Sequence, residues 1–348
     1  MNCCVNCFNS EYLISIINAD DRNGNCDFCN SISVSIYAAR ELAPFFRNII
    51  SLYEVDVNSV FDLAQSVKKD FNLTTNLVDD NKLLFESIFV DEEEILNELF
   101  NENVSSEIKI ELISETNQIH SIWKEFKDEI KSVNRYHIKN TIDLKKLANF
   151  FNHESFYKTI KKGRIFYRCR ISDKIGFNSN QMGNPPNELA TGGRANPKGI
   201  SYLYIADKLE TSLYETRASL FDYVTVGEFR LNEDLKILNL RNPKDDPIPW
   251  SENEAIEDFL TYVPFIQTLQ KEISLPIRKR DKQLDYIPTQ YISEFIKSLG
   301  FDGVEYQSSL FAEGYNLAVF NPDKLECIAT KVYEIENIKL HHKLLDNS

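Results

Sequence analysis

The chain contains 348 residues, of which 43% are hydrophobic and 26% charged, and its formal net charge is −14. No segment approaches the roughly 18 consecutive apolar residues of a membrane span, and the first residues lack the pattern of a signal peptide. The 23 Phe and 16 Tyr are too many for a disordered chain. The acidic balance argues against duplex nucleic acid as a partner, because a duplex binder needs a basic face to neutralise phosphates. We therefore expect a folded cytoplasmic protein that does not enter a membrane.

Five of the seven cysteines lie within the first 29 residues, at Cys3, Cys4, Cys7, Cys26 and Cys29. An odd cysteine count without an export signal favours a reducing compartment over a disulfide framework. Cys4-x2-Cys7 and Cys26-x2-Cys29 have the spacing of a four-thiolate zinc site, in which each pair directs two sulfurs at one tetrahedral ion. Cys3 could replace Cys4, and the alternative to a metal site is a redox pair or a set of unconnected thiols. Four thiolates leave no open coordination position, so the predicted Zn2+ is structural.

The next part of the chain, residues 34–160, has a helical pattern. Apolar side chains recur at helical spacing in four stretches, which are 34–42, 60–71, 119–130 and 144–151. Thr116 is the predicted N-cap of the third of these helices. Glycine is absent from residue 32 through residue 160, which suits a helical bundle.

Most of the net charge also lies in this half. Residues 1–160 contain 26 acidic and 15 basic side chains, which leaves −3 of the total of −14 for residues 161–348. The run Asp91-Glu92-Glu93-Glu94 predicts the start of a helix, because carboxylates in a first turn complement the helix dipole. A metal site is disfavoured there, since adjacent carboxylates point around a helix rather than toward one ion.

The pattern changes at Gly163 to strands, turns and glycines. A predicted strand carries Arg168 and Arg170, a Gly-rich loop carries Arg194, and a predicted helix carries Glu215. Arginines of this kind in an acidic protein indicate bidentate capture of phosphate or carboxylate, and ligand sites form at such loops and strand ends. No GxGxxG sequence follows a strand and no GxxxxGK sequence occurs, so neither a Rossmann dinucleotide site nor a P-loop is supported.

Eight short motifs follow one another in this half of the chain. In one-letter code they are YR, GRxNxxG, LYxA, TxxxE, PTQ, GFDG, YxSS and NLxxF. In this order, over roughly residues 163–332, the chain resembles the RES domain. That family is named for an Arg, a Glu and a Ser, and it includes toxins of toxin–antitoxin pairs.

The resemblance implies an α+β protein whose C-terminal RES domain has a two-sheet core similar to that of ADP-ribosyltransferases, with a cleft for NAD+. A small zinc-binding module and an α-helical bundle would precede this domain. The implied activity is cleavage of the nicotinamide–ribose bond of NAD+ by a toxin or antiphage defence effector, as a glycohydrolase or a phosphorylase. The NAD+ is a substrate, and its cleavage requires no metal.

By motif, the resemblance also implies which residues form the site. Arg168 and Arg194 would bind the phosphates and position the ribose, Tyr204 would face the nicotinamide ring, and Glu215 would stabilise the transition state or orient the acceptor. The implied catalytic residues are Arg168, Tyr204, Glu215 and Ser308, and the implied NAD+ contacts are Arg168, Arg194, Asn196, Tyr204, Ser308 and Asn316. Ser309 could replace Ser308, because the motif contains two adjacent serines.

The N-terminal half has a second resemblance. Its CxxC pairs, its helices and the segment from Trp123 to Asn134-Arg135-Tyr136 are similar to the HEPN-like extension of some RES proteins, without the Arg–His spacing of HEPN ribonucleases. The expected domains are a zinc-ribbon-like module at 1–33, a helical HEPN-like domain at 34–160, a RES domain at 161–335 and a tail at 336–348.

Three functional alternatives follow from these patterns. The first is NAD+ degradation, the second is transfer of ADP-ribose to a protein or nucleic acid, and the third is a non-catalytic interaction module built from the zinc site and the acidic bundle. The expected partners are NAD+ and an antitoxin or trigger protein. A homo-oligomer is left open.

Overall fold

The computed structural model describes residues 1–100, 105–108, 110–139, 142–153, 156–241, 253–275 and 283–338. Most of the expected C-terminal tail, including His341 and His342, lies outside these residues. The chain divides into two compact units. The first comprises Met1–Glu125, Thr141–Phe150 and Asn242–Gln267, and the second comprises Phe126–Asn140, Phe151–Arg241 and Thr268–Ser348.

The first unit opens with a small antiparallel sheet in the order β1-β3-β2. Its strands are β1 (Asn2–Cys4), β2 (Asn23–Gly24) and β3 (Val34–Ala38), and helix α1 (Glu11–Ala19) lies between β1 and β2 in the chain. The predicted helix at 34–42 is therefore wrong over β3. The β-branched residues Val34 and Ile36 favour a strand, and Ile36 pairs directly with Cys4 of β1.

Helices and a two-stranded sheet complete this unit. They are α2 (Ala43–Ile50), β4 (Tyr53–Asp56), α3 (Leu63–Phe71), α4 (Asn81–Ile88), α5 (Glu93–Leu99) and β5 (Ser105–Ile108). Helices α6 (Ile110–Ser132) and α7 (Leu144–Asn152) belong to this unit up to residues 125 and 150, and their last residues belong to the second unit. A capping box between Asp62 and Gln65 starts α3, and the rings of Phe46 and Phe85 meet edge to face at 5.4 Å in the core. The helices predicted at 119–130 and 144–151 are confirmed, and the one predicted at 60–71 is confirmed from Leu63 onward. Helix α6 begins six residues before Thr116, so Thr116 is not its N-cap.

The second unit contains an eight-stranded sheet in the order β13-β9-β7-β8-β12-β11-β10-β6. Its strands are β6 (Tyr157–Ile160), β7 (Ile165–Ser172), β8 (Leu203–Ala206), β9 (Tyr223–Leu231), β10 (Leu235–Asn239), β11 (Gly303–Gln307), β12 (Tyr315–Val319) and β13 (Leu325–Glu334). Strands β7 and β8 share only the pair Tyr167–Ala206. The sheet therefore has a three-stranded part and a five-stranded part, and the predicted α+β class is confirmed.

The five-stranded part separates a hydrophobic core from the candidate site. Side chains of successive residues in a strand point to opposite faces. Leu203 and Ile205 of β8 and Leu317 of β12 belong to one buried cluster, whereas Tyr204 and Asn316 lie on the opposite face. Helices α8 (Leu209–Thr216) and α10 (Ile287–Ser298) belong to the second unit, whereas α9 (Asn253–Ser274) belongs to the first unit up to residue 267 and to the second from residue 268.

None of the helices within the described ranges is both long enough and apolar enough to cross a bilayer.

Candidate active site

The carboxylate of Glu215 is the centre of the candidate site. It lies in the last turn of α8, which ends where Arg217 adopts a left-handed conformation with φ of 51°. One carboxylate oxygen, Oε1, accepts hydrogen bonds from Ser308 Oγ at 2.8 Å and from Asn316 Nδ2 at 2.9 Å. The other oxygen, Oε2, lies 3.6 Å from Nη2 of Arg194. Three residues from two strand regions and a loop therefore meet at a carboxylate that a helix carries.

Ser308 follows β11 and is the serine that contacts Glu215. Its side chain is buried, while Ser309 is exposed. The Ser308 hydroxyl oxygen accepts hydrogen bonds from the backbone N–H groups of Leu310 and Phe311 at 3.3 and 3.2 Å. With its lone pairs occupied in this way, the hydroxyl directs its proton to Glu215. The geometry thus selects Ser308 over Ser309 as the partner of the carboxylate.

Arg194 is carried by a loop that is closed by its own hydrogen bonds. The hydroxyl of Tyr204 donates to Asn196 Oδ1 at 2.7 Å and accepts from the backbone N–H of Ala195 at 3.2 Å. The Asn196 amide donates to the carbonyls of Thr191 and Ile200 at 3.0 and 2.8 Å. Both side chains therefore shape the loop around Arg194, and their predicted contacts with NAD+ stay predictions.

Gly193 allows this loop to close. A Cβ at this position would lie 2.5 Å from Asn196 Oδ1 and 2.8 Å from the hydroxyl oxygen of Tyr204. Both distances are shorter than the contacts that a real methyl group makes. The glycine before Arg194 is thus required by the close approach of the Tyr204–Asn196 hydrogen bond.

Arg168 lies on β7 and has an incompletely satisfied guanidinium. Its Nη1 donates to the carbonyl of Tyr204 at 3.1 Å, but its buried Nε has no hydrogen-bond partner among the described residues. Burial, reinforced by the charge of Arg170, lowers the pKa of Arg168 to about 10. Arg194 lies in ion-pair distance of Glu215 and Arg168 contacts the backbone of Tyr204, so these segments carry two guanidinium groups and one carboxylate.

A second cluster, in the first unit, is formed by four cysteines. The sulfurs of Cys4, Cys7, Cys26 and Cys29 all lie within 4.8 Å of one another, with separations of 3.3 Å for Cys7–Cys26 and 3.4 Å for Cys4–Cys29. Sulfurs around a tetrahedral zinc are about 3.8 Å apart when each Zn–S bond is about 2.3 Å. The four thiols therefore fit a metal ion of this kind and could hold one.

Cys3 is excluded from this cluster by the alternation of β1. Its sulfur donates to the carbonyl of Tyr37 at 3.4 Å, whereas the Cys4 sulfur lies 3.9 Å from that of Cys7. Burial raises the pKa of the Cys3 thiol, which keeps this thiol neutral. The sequence leaves open whether Cys3 or Cys4 belongs to the four-cysteine cluster, and the structure places Cys4 there.

Comparison with known proteins agrees with the motif order. A family model described as the RES domain matches residues 165–340, which is just over half of the chain. The chain belongs to the RES domain family. The residues that meet at the Glu215 carboxylate, Arg194, Ser308 and Asn316, all lie within the part of the chain that this family model matches.

One solved structure similar to this RES protein is the crystal structure of the M. tuberculosis MbcT-MbcA toxin–antitoxin complex. The sequence identity is 16%, the TM-score is 0.33, and the alignment covers 54% of this chain and 92% of that chain. A search of curated proteins finds no match.

Sequence reasoning missed three residues near Arg194. Tyr306 of β11 is buried, and burial raises the pKa of its hydroxyl, which lies close to Arg194. Thr289 and Gln290 contact the backbone of the Arg194 loop. Thr289 and Gln290 belong to the PTQ motif, but the position of this motif in the sequence does not indicate which segment it contacts.

Proposed function

We propose that this RES protein is an NAD+-cleaving toxin or defence effector that breaks the nicotinamide–ribose bond. The observation that carries the proposal is the meeting of Arg194, Ser308 and Asn316 at the Glu215 carboxylate within a RES domain. The unpartnered Nε of Arg168 and the excess of guanidinium over carboxylate charge support a ligand that carries phosphates.

The reaction matches these residue types. The bond between the ribose C1′ and the nicotinamide nitrogen breaks, its electron pair goes to that nitrogen, and neutral nicotinamide leaves. A water or phosphate oxygen forms the new bond to C1′, and with water as the acceptor its proton passes to solvent. The protein therefore has to hold the pyrophosphate and to stabilise the positive charge that develops on the ribose.

Glu215 supplies the negative charge for the second task. Ser308 and Asn316 hold one of its oxygens by hydrogen bonds and so fix the direction of the carboxylate. A fixed charge is effective because it needs no reorganisation when the transition state forms. Arg168 and Arg194 are the candidates for holding the pyrophosphate, since a guanidinium forms two parallel hydrogen bonds with phosphate oxygens.

Cellular NAD+ provides the first test. Expression of the full chain should lower cellular NAD+ and arrest growth, whereas Glu215→Ala and Arg168→Ala should leave both unchanged. Ser309→Ala is the matched control, because this serine is exposed and adjacent to Ser308. Normal NAD+ levels during growth arrest, with the Glu215 variant equally toxic, would refute NAD+ depletion as the function.

The same experiment identifies the acceptor. A glycohydrolase yields free ADP-ribose, a phosphorylase yields ADP-ribose 1″-phosphate, and an ADP-ribosyltransferase leaves ADP-ribose on protein or nucleic acid. Mass spectrometry of small molecules, proteins and RNA from the expressing cells separates these three. A non-catalytic interaction module would give none of these products.

We also propose that the four cysteines hold a structural Zn2+, because all four coordination positions come from the protein. The proposed domains remain the module at 1–33, the helical HEPN-like part at 34–160 and the RES domain at 161–335. An antitoxin is the proposed partner, since a lethal NAD+-cleaving activity has to be restrained in the cytoplasm. Copurification of a metal-replete chain with a neighbouring gene product tests both statements.

A further inference from the structure

The first turn of α10 contacts the Arg194 loop through two consecutive side chains. Thr289 Oγ1 donates to the carbonyl of Arg194 at 2.7 Å, and Gln290 Nε2 donates to the carbonyl of Gly193 at 2.8 Å. The Thr289 hydroxyl also lies 2.9 Å from the carbonyl of Tyr286, so its single proton is shared between a local and a distant acceptor. Two successive peptide carbonyls of the loop are thus held by one helix.

The helix that makes these contacts is itself well anchored. Ile292 and Ile296 are buried, and buried Ser293 donates to the carbonyl of Thr289 at 2.8 Å. Pro288 occupies the first turn, where its missing N–H costs no helical hydrogen bond. The two donors therefore project from a fixed support, which reduces the loss of conformational freedom when they bind the loop.

The loop is held from its other side by β8. The backbone N–H of Ala195 donates to the hydroxyl of Tyr204, and the carbonyls of Gly193 and Arg194 accept from α10. The peptide groups on both sides of the Arg194 Cα are therefore fixed from two directions. The side chain then extends from a fixed backbone to within 3.6 Å of the Glu215 carboxylate.

We propose that Thr289 and Gln290 are positioning residues that hold Arg194 in the geometry required for ligand binding. This inference rests on the proposed function and adds a role for the PTQ motif. Neither side chain has to touch the substrate. Both act through the backbone of Arg194, whose guanidinium must face both Glu215 and the phosphates of the ligand.

Hydrogen–deuterium exchange of the full chain tests the clamp itself and requires no enzymatic activity. Thr289→Val removes the hydroxyl and keeps the shape, Thr289→Ser restores a hydroxyl, and Gln290→Met removes the amide donor. Ser298→Ala is the matched control, because its hydroxyl makes only a local bond to Phe295 in the same helix. A net hydrogen bond is worth about 0.5–1.5 kcal/mol, so amides 191–196 should exchange roughly 2- to 10-fold faster in the Val and Met variants. Unchanged exchange in both variants would overturn the proposal.

Steady-state kinetics with NAD+ tests whether the clamp acts through Arg194. Thr289→Val should lower kcat/KM by on the order of tenfold, whereas the kcat/KM of Thr289→Ser should stay within about twofold of the wild-type value. In a chain that already carries Arg194→Lys, adding Thr289→Val should not lower kcat/KM further. Additive losses in the double variant would mean that Thr289 only stabilises the fold, and would overturn the positioning role. If the wild type releases no nicotinamide, the proposed function fails, while the exchange result still decides whether the clamp exists.

Discussion

Replacement of Gly193 by alanine is expected to break the hydrogen-bonded loop that carries Arg194. The new methyl carbon would lie 2.5 Å from Asn196 Oδ1 and 2.8 Å from the Tyr204 hydroxyl, two atoms that share a 2.7 Å hydrogen bond. The Asn196 side chain cannot move freely, because the residue is only 4% exposed and both its amide nitrogen and its amide oxygen form hydrogen bonds. The methyl group can be accommodated only if these two atoms separate.

The size of the effect follows from the bonds that are lost. Loss of one buried hydrogen bond that leaves an unsatisfied partner costs about 1–3 kcal/mol. Restriction of the unfolded chain by alanine offsets about 0.4–1 kcal/mol of this. We therefore expect a net loss of about 1–2 kcal/mol in the free energy of unfolding, which corresponds to roughly 2–8 °C in the unfolding temperature for a unit of this size.

Differential scanning calorimetry of the full chain measures this shift, and the structure offers a matched control. A Cβ at Gly183 would meet no atom within 4 Å, and that residue does not have a positive φ. Gly183→Ala should therefore be neutral or stabilising by up to about 1 kcal/mol. If Gly193→Ala and Gly183→Ala unfold at the same temperature, the claim that the loop requires a glycine at position 193 is refuted.

The remaining predictions concern the charges and the metal. Glu215→Gln should lower kcat for nicotinamide release by about 10³-fold, because a carboxylate about 4 Å from the developing charge contributes about 4 kcal/mol at an effective dielectric constant near 20. The control variant Ser309→Ala should keep wild-type activity. An equal loss of activity in the two variants would contradict the role of the carboxylate. Arg168→Met should weaken ADP-ribose binding at least tenfold in calorimetry, since it removes one of two positive charges, and unchanged affinity would remove Arg168 from the site. Metal analysis of the full chain should find one zinc per chain, lost in Cys4→Ser and retained in Cys3→Ser; retention in both variants would show that Cys4 is not a ligand.

The sequence predicts the cysteine cluster well because four ligands at fixed spacing constrain one another. It leaves Cys3 and Cys4 undecided, since the two are adjacent and only the pairing of β1 with β3 shows which side each faces. The same pairing explains the wrong helix at 34–42. The apolar residues that recur at helical spacing over 34–42 are also compatible with strand β3 followed by a 3-10 helix at Ala39–Leu42, and the partner strand decides between the two.

The sequence motifs predict which residues form the candidate site, but they do not predict which of these residues contact one another. Glu215, Ser308 and Asn316 lie up to 101 positions apart in the chain, so no local pattern shows that they meet. The sequence also does not predict that Asn196 and Tyr204 close the loop. A polar residue in a ligand-binding motif looks the same in the sequence whether its side chain binds the ligand or the backbone. Long-range hydrogen bonds are therefore the part of the site that local sequence patterns do not predict.

Nicotinamide release by the purified full chain tests the central claim most directly. The protein is incubated with NAD+ in the presence and absence of phosphate, and chromatography follows nicotinamide, ADP-ribose and ADP-ribose 1″-phosphate. We expect nicotinamide to appear in step with the loss of NAD+ for the wild type and for Ser309→Ala, but not for Glu215→Gln. Intact NAD+ with the wild type, both alone and with cell extract as a source of acceptors, would contradict the account.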